Sequence, residues 1–141
     1  MFERLGKYDD KLKGISLVLG LGLTSNIYVI GNDEITLIDV GNGAKGNRFE
    51  SEFVSLKLKY SDVAQIIITH PHFDHVGGLV EIVKEVKPKI FVYQDDTPLI
   101  VGIVGKRVIG LKDGKHARLC QMRSFMRNII LIFIENIISH F

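Results

Sequence analysis

Three of the chain's five histidines and one aspartate fall within six positions, His70-Pro71-His72-Phe73-Asp74-His75. Imidazole nitrogens and a carboxylate packed this closely are the donor set of a zinc site, and iron or manganese accept the same donors. Residues two apart in extended chain point to the same side, so His70 and His72 can grip one metal. Pro71 disfavours the helical region for His70 and keeps that approach extended. Asp74 and His75 come as the chain turns, so they are directed differently and suit a neighbouring metal. Gly77 and Gly78 remove side-chain bulk where the loop must fold tightly. The chemistry on offer is hydrolysis. A catalytic zinc keeps an open position and lowers the pKa of its water to about 7. A second metal can stabilise the leaving oxygen.

Such a loop needs a scaffold, and the surrounding sequence supplies one. Val63 to Thr69 contains Ile66-Ile67-Ile68, a continuous apolar run that predicts a fully buried strand leading into the loop. Leu79, Ile82, Val83 and Val86 predict a helix leading out of it, with Pro88 just beyond its end. Upstream, Ile15 to Leu23 reads as a buried strand. Ile27 to Ile30 and Ile35 to Ile38 read as a hairpin around the turn Gly31-Asn32-Asp33-Glu34. Phe49, Phe53, Leu56 and Tyr60 recur at helical spacing and predict an amphipathic helix laid on the sheet. Downstream, Ile90 to Tyr93 is the next strand, and Pro98 suits the first position of a short helix at Leu99. Strand alternating with helix predicts an α/β layer arrangement with parallel pairing.

Composition bounds the function classes. The chain has 141 residues, 46% apolar and 24% charged, enough for one domain with a sizeable core. A net charge of +2 is too small to imply a nucleic-acid partner. Cys120 is the single cysteine, which excludes an intrachain disulfide and suits a reducing compartment. Glu3, Asp9 and Asp10 precede the apolar Ile15–Leu23 stretch and no A-x-A pattern follows, so a signal peptide is not expected. Ile129 to Ile134 is too short to span a bilayer. A cytoplasmic protein with a small-molecule substrate and no membrane partner is the expectation.

The stretch Thr69-His70-Pro71-His72-Phe73-Asp74-His75-Val76-Gly77-Gly78 resembles the signature of the metallo-β-lactamase fold superfamily. Leu37-Ile38-Asp39-Val40-Gly41 resembles that family's earlier Asp-containing motif. The resemblance covers roughly Ile15 to Asp113 and implies an αββα sandwich with a one- or two-zinc site at the edge of the sheets. It implies that His70 and His72 hold the first metal and Asp74 and His75 the second. Asp39 would sit behind them and orient a ligand histidine.

The chain departs from the family pattern after the motif. Family members are usually longer, and they add a further histidine, a bridging aspartate and a last histidine. Here only His116 and His140 follow the motif. His116, in Gly114-Lys115-His116-Ala117, is the candidate third ligand. His140 reads as a solvated end residue, Cys120 as a small buried hydrophobe, and Asp95, Asp96 and Asp113 as surface turn residues. From Leu119 to Phe141 there is no Gly, Pro or Asp, and six isoleucines fall in these 23 residues. The expectation is a truncated or half version of the sandwich over residues 1–118. An apolar, helical segment follows over 119–141, where a shifted reading frame is an alternative origin.

The resemblance implies a metal-dependent hydrolase of the ester, thioester or lactone class, glyoxalase-II-like. His72 and Asp74 would be its catalytic residues, and Asp74 would orient a metal-bound hydroxide. The rival expectation is a catalytically inactive, metal-binding remnant of the same fold, or a fragment that self-associates as a homodimer.

Overall fold

The computed structural model describes residues 2–20, 24–43, 49–105 and 108–111. These build one seven-stranded sheet in strictly sequential order. Its strands are β1 (Phe2–Arg4), β2 (Ile15–Val18), β3 (Ile27–Ile30), β4 (Ile35–Ile38), β5 (Val63–Ile68), β6 (Lys89–Tyr93) and β7 (Val108–Leu111). The first four run antiparallel to one another, and β4 through β7 run parallel. The helices are α1 (Phe49–Ser55), α2 (Phe73–Val76), α3 (Leu79–Glu85) and α4 (Thr97–Val104). Parallel strands require crossovers, and α1, α3 and α4 lie in the crossovers that join β4 to β7.

The strands alternate between two apolar faces, as the two-residue period of extended chain demands. Val29, Leu37, Ile66, Ile68, Ile90 and Val92 face one way and form the main core with Phe53 of α1, Leu79 and Ile82 of α3 and Ile100 of α4. Ile30, Ile38 and Ile67 face the other way and cluster with Ile15 and with Leu5, Leu12, Tyr28 and Phe91. The register keeps the faces matched: Leu37 pairs with Ile66 and Ile66 with Ile90, while Ile38 pairs with Ile67 and Ile67 with Phe91. The Ile66-Ile67-Ile68 run is therefore apolar throughout because both faces are covered.

Several expectations are corrected in detail. The strand expected over Ile15 to Leu23 ends at Val18. Beyond it, a Cβ on Gly20 would collide with the carbonyl oxygen of Thr24, and the Gly20 N–H donates to Asn26 Oδ1 at 2.9 Å, so the backbone is already turning. The helix expected through Tyr60 ends at Ser55. Lys57 takes a left-handed φ of 63°. The Lys57 N–H donates to the Val54 carbonyl at 2.9 Å and the Leu58 N–H to the Phe53 carbonyl at 2.8 Å. This is a Schellman stop, with Leu58 folded back on the core beside Phe53. Tyr60 still reaches that core, from a 3-10 turn, with its ring 5.8 Å from that of Phe53. Phe53, Leu56 and Tyr60 thus share one destination although only Phe53 of the three lies in the helix. The helix after β6 starts at Thr97, ahead of Pro98. The expected segment over 119–141, with Cys120 and His140, lies outside the described residues, as do Asp113 and His116. No helix among the described residues is long and apolar enough to cross a membrane.

Candidate metal centre

In a sheet with parallel strands, ligand sites form beyond the carboxyl ends of those strands. Here β4 ends into Asp39 and β5 ends into Thr69, side by side. The Asp39 N–H continues the ladder to the Ile67 carbonyl at 2.8 Å. Asp39 then adopts a left-handed φ of 59°, a conformation aspartate tolerates better than most residues. That turn brings its buried carboxylate back across the strand end. Asp39 Oδ1 accepts from the Thr69 N–H at 2.9 Å, and Oδ2 accepts from the Thr69 hydroxyl at 2.8 Å.

The histidines stand on this pair. His75 Nδ1 lies 2.7 Å from Asp39 Oδ2, and His70 Nδ1 lies 2.9 Å from Thr69 Oγ1. The Thr69 hydroxyl proton is committed to Asp39, so Thr69 Oγ1 accepts from His70 Nδ1–H, and the Asp39 carboxylate accepts from His75 Nδ1–H. Both rings are then in the tautomer that leaves Nε2 with a free lone pair, as a metal ligand requires. His75 also lies 3.2 Å from Thr69 Oγ1 through Nδ1, which makes Thr69 the shared hub of the group. Its role was not read from the sequence, where it served only as the first letter of the motif.

The structure brings His70, His72 and His75 together. The His70 ring lies 4.6 Å from that of His72 and 3.8 Å from that of His75. His75 is therefore less separated from the His70–His72 pair than the turn in the chain suggested. Asp74 Oδ2 is 3.3 Å from His75 Nε2, at the ring edge that faces away from Asp39. His72 is the N-cap of α2, but its side chain makes no capping bond and is exposed. Burial falls steadily from Asp39 and Thr69, through His70, Asp74 and His75, to His72. The cluster is a half-open cup with a buried anionic base.

Three segments converge to hold the cup. Val40 N–H donates to the His75 carbonyl at 2.9 Å, and Gly78 N–H to the Gly41 carbonyl at 3.2 Å. A Cβ on Gly77 would sit 2.6 Å from the Asn42 carbonyl group, and one on Gly78 would strike the Val40 oxygen, so the glycine pair is what lets α2 and α3 close onto the Val40–Gly43 loop. From the third side, the Ser25 hydroxyl donates to the Asp74 carbonyl at 2.5 Å, and Asn42 Nδ2 donates to Thr24 Oγ1 at 3.0 Å.

The electrostatics separate the two buried-side rings. Burial pulls the His70 pKa below its ordinary value, and the neighbouring His75 adds to the effect. Burial acts the same way on His75, but its hydrogen bond to Asp39 and the charges of Asp39 and Asp74 outweigh it and hold the pKa above the ordinary value. Asp96 belongs to this environment too. Expected as a plain surface turn residue, it is half-buried at the N-cap of α4. Burial and then the charge of Asp95 raise its pKa, while His70 counteracts them. Asp95 is exposed, as expected.

Tested against a metal, the donor set fits in kind: lone pairs at Nε2 of His70 and His75, the Asp74 carboxylate, and an uncommitted His72 ring. Among the described residues, no three of these groups are placed so that together they could hold a metal ion. His116, the expected further ligand, lies outside the described residues.

A layered sheet with a histidine–aspartate cup at the carboxyl ends of its parallel strands defines a class of metallo-hydrolase-like proteins. The family model described as Metallo-beta-lactamase superfamily matches residues 20–121, well over half of the chain, and the chain belongs to that superfamily. It is similar to exodeoxyribonuclease YycJ of Bacillus anthracis, with 40% identity over 62 residues, which cover 44% of this chain and 23% of that protein. It is also similar to the probable metallo-hydrolase YqjP of Bacillus subtilis (strain 168), with 34% identity over 55 residues, covering 38% of this chain and 17% of that protein. Among solved structures it resembles the class B3 di-zinc metallo-beta-lactamase LRA-12 from an Alaskan soil metagenome. The TM-score is 0.57 and the identity 18%, over 74% of this chain and 46% of that one. The matched part therefore spans less than half the length of each of these proteins.

Proposed function

We propose that the chain carries the metal-binding half of a hydrolase that cleaves an ester, thioester or lactone in a small molecule. The observation that carries the reading is the Asp39–Thr69 pair, which fixes His70 and His75 with Nε2 free, that of His75 beside Asp74. His70, His72, Asp74 and His75 would hold zinc, with iron or manganese as alternatives and His116 as a further candidate ligand. When bound, the metal supplies Lewis acidity and makes water nucleophilic at neutral pH. The chain's own residues do the rest. Asp39 keeps both ring tautomers fixed, through Thr69 for His70 and directly for His75. Asp74, at the mouth of the cup, would orient the attacking water. The exposed His72 ring meets the substrate side.

The same donors serve a phosphoryl centre as well as a carbonyl. Similarity to a protein named exodeoxyribonuclease favours phosphodiester cleavage as the second reading. Metal analysis of protein purified without chelator, combined with a panel of esters, thioesters, lactones and single-stranded DNA, tests both. Stoichiometric zinc and turnover of one substrate class, both lost in His72→Ala, are the expected result. Protein that takes up no metal and turns over nothing on the panel would instead be the inactive remnant.

A further inference from the structure

At the opposite ends of β4 and β5 from the metal centre lies a cleft of about 640 Å³. Its position follows from the chain order. The turn Gly31–Asn32 precedes β4, and Leu56–Leu58 precede β5, whereas Asp39 and Thr69 follow them. The charged side chains of the lining are Arg4, Lys7, Lys13 and Lys57, with no carboxylate among them. Lys7 is paired with Glu3 at 3.5 Å and Lys13 with Asp10 at 3.0 Å, and neither acid lines the cleft. Arg4 and Lys57 make no ion pair among the described residues, so the cleft keeps unneutralised positive charge. Ser16 and Asn32 add neutral polar groups.

A second observation singles out Lys57. It occupies the left-handed position of the Schellman stop, φ 63°, where glycine is the unstrained choice. A lysine there costs stability locally, and the residue is part of the cleft lining. Strain retained at a charged residue that faces a cavity points to a use for the charge.

We infer that this cleft is a binding site for a small multiply charged anion, of the phosphate or pyrophosphate class, distinct from the metal centre. Arg4 supplies a planar fork for phosphate oxygens, and Lys57, Lys7 and Lys13 supply point charges around it. The site is separate from the hydrolytic cup, so its occupant would act as an effector or as a recognition group rather than as the bond cleaved.

The test is calorimetric titration of the chelator-treated full chain with inorganic pyrophosphate at low ionic strength. Saturable one-site binding is expected. Arg4→Gln and Lys57→Gln should each weaken it by about fivefold or more, and His72→Ala should leave it unchanged. Lys57→Gly separates binding from folding, because it relieves the backbone strain: it should melt at a higher temperature yet bind pyrophosphate as weakly as Lys57→Gln. Equal affinity in all variants, loss of binding in His72→Ala, or binding of a single-stranded oligonucleotide without any binding of pyrophosphate would each overturn the assignment.

Discussion

Asp39 accepts from the Thr69 N–H, the Thr69 hydroxyl and His75 with a single carboxylate, at 2.7–2.9 Å. Asn at this position keeps the shape but cannot accept at both oxygens, and its amide would face other donors. Asp39→Asn should cost about 2–3 kcal/mol of stability in chemical denaturation and weaken zinc binding about 10- to 100-fold. A variant with unchanged zinc affinity would remove the orienting role. The two rings that depend on Asp39 also titrate apart. In metal-free protein, an NMR titration should find His75 losing its proton above the ordinary pKa of 6.5 and His70 below it. The signs oppose each other. The contribution of His75 is full below its unfolded pKa and is lost as pH rises through its raised folded value. The contribution of His70 is full above its unfolded pKa and is lost as pH falls through its lowered one. The clustering of His70, His72, Asp74 and His75 was legible in the sequence because they are adjacent in it. Thr69 as hub and Asp96 as neighbour were not, since one acts through a hydroxyl any turn uses and the other reaches the cup only through the packing of α4.

Among the elements, the legible ones were those whose periodicity matches their burial. Ile66-Ile67-Ile68 and the hairpin of β3 and β4 announce themselves because both faces of the sheet are apolar. The edge strands do not: β1 is Phe-Glu-Arg, and β7 is Val-Ile-Gly-Leu, half-wet sequences whose pairing is imposed by the strand beside them. The stop of α1 was hidden because a lysine sits where glycine would have marked it. Two substitutions probe these joints in opposite directions. Gly77→Ala places a methyl group 2.6 Å from the Asn42 backbone, with no flexible side chain to yield. It should cost about 1–3 kcal/mol and loosen the cup, read as a lower melting temperature together with weaker zinc binding. Lys57→Gly should stabilise by up to about 1 kcal/mol. A melting temperature below that of the parent would show that the lysine is held there by contacts stronger than the strain.

At the scale of the whole molecule, the cup ties together parts of the chain that are far apart in sequence. Loop 24–26 holds the Asp74 carbonyl, loop 39–43 holds α2 and Gly78, and β5 delivers the histidines. A ligand that binds the four donors therefore binds the folded arrangement of all three segments, because the unfolded chain offers only the local His70–His75 stretch. Mass action converts that preference into stability: zinc at about 100 times its dissociation constant should add about 2.7 kcal/mol. For a domain of this size that is a rise in melting temperature on the order of 10 °C. The protection should reverse on chelation. It should vanish in His72→Ala and shrink in Ser25→Ala, a residue that touches no metal donor directly but holds the Asp74 backbone. A thermal melt that ignores zinc in the parent protein would mean that the described donors do not act as one site. A zinc-dependent rise of full size in Ser25→Ala would mean that the 24–26 loop stands outside it.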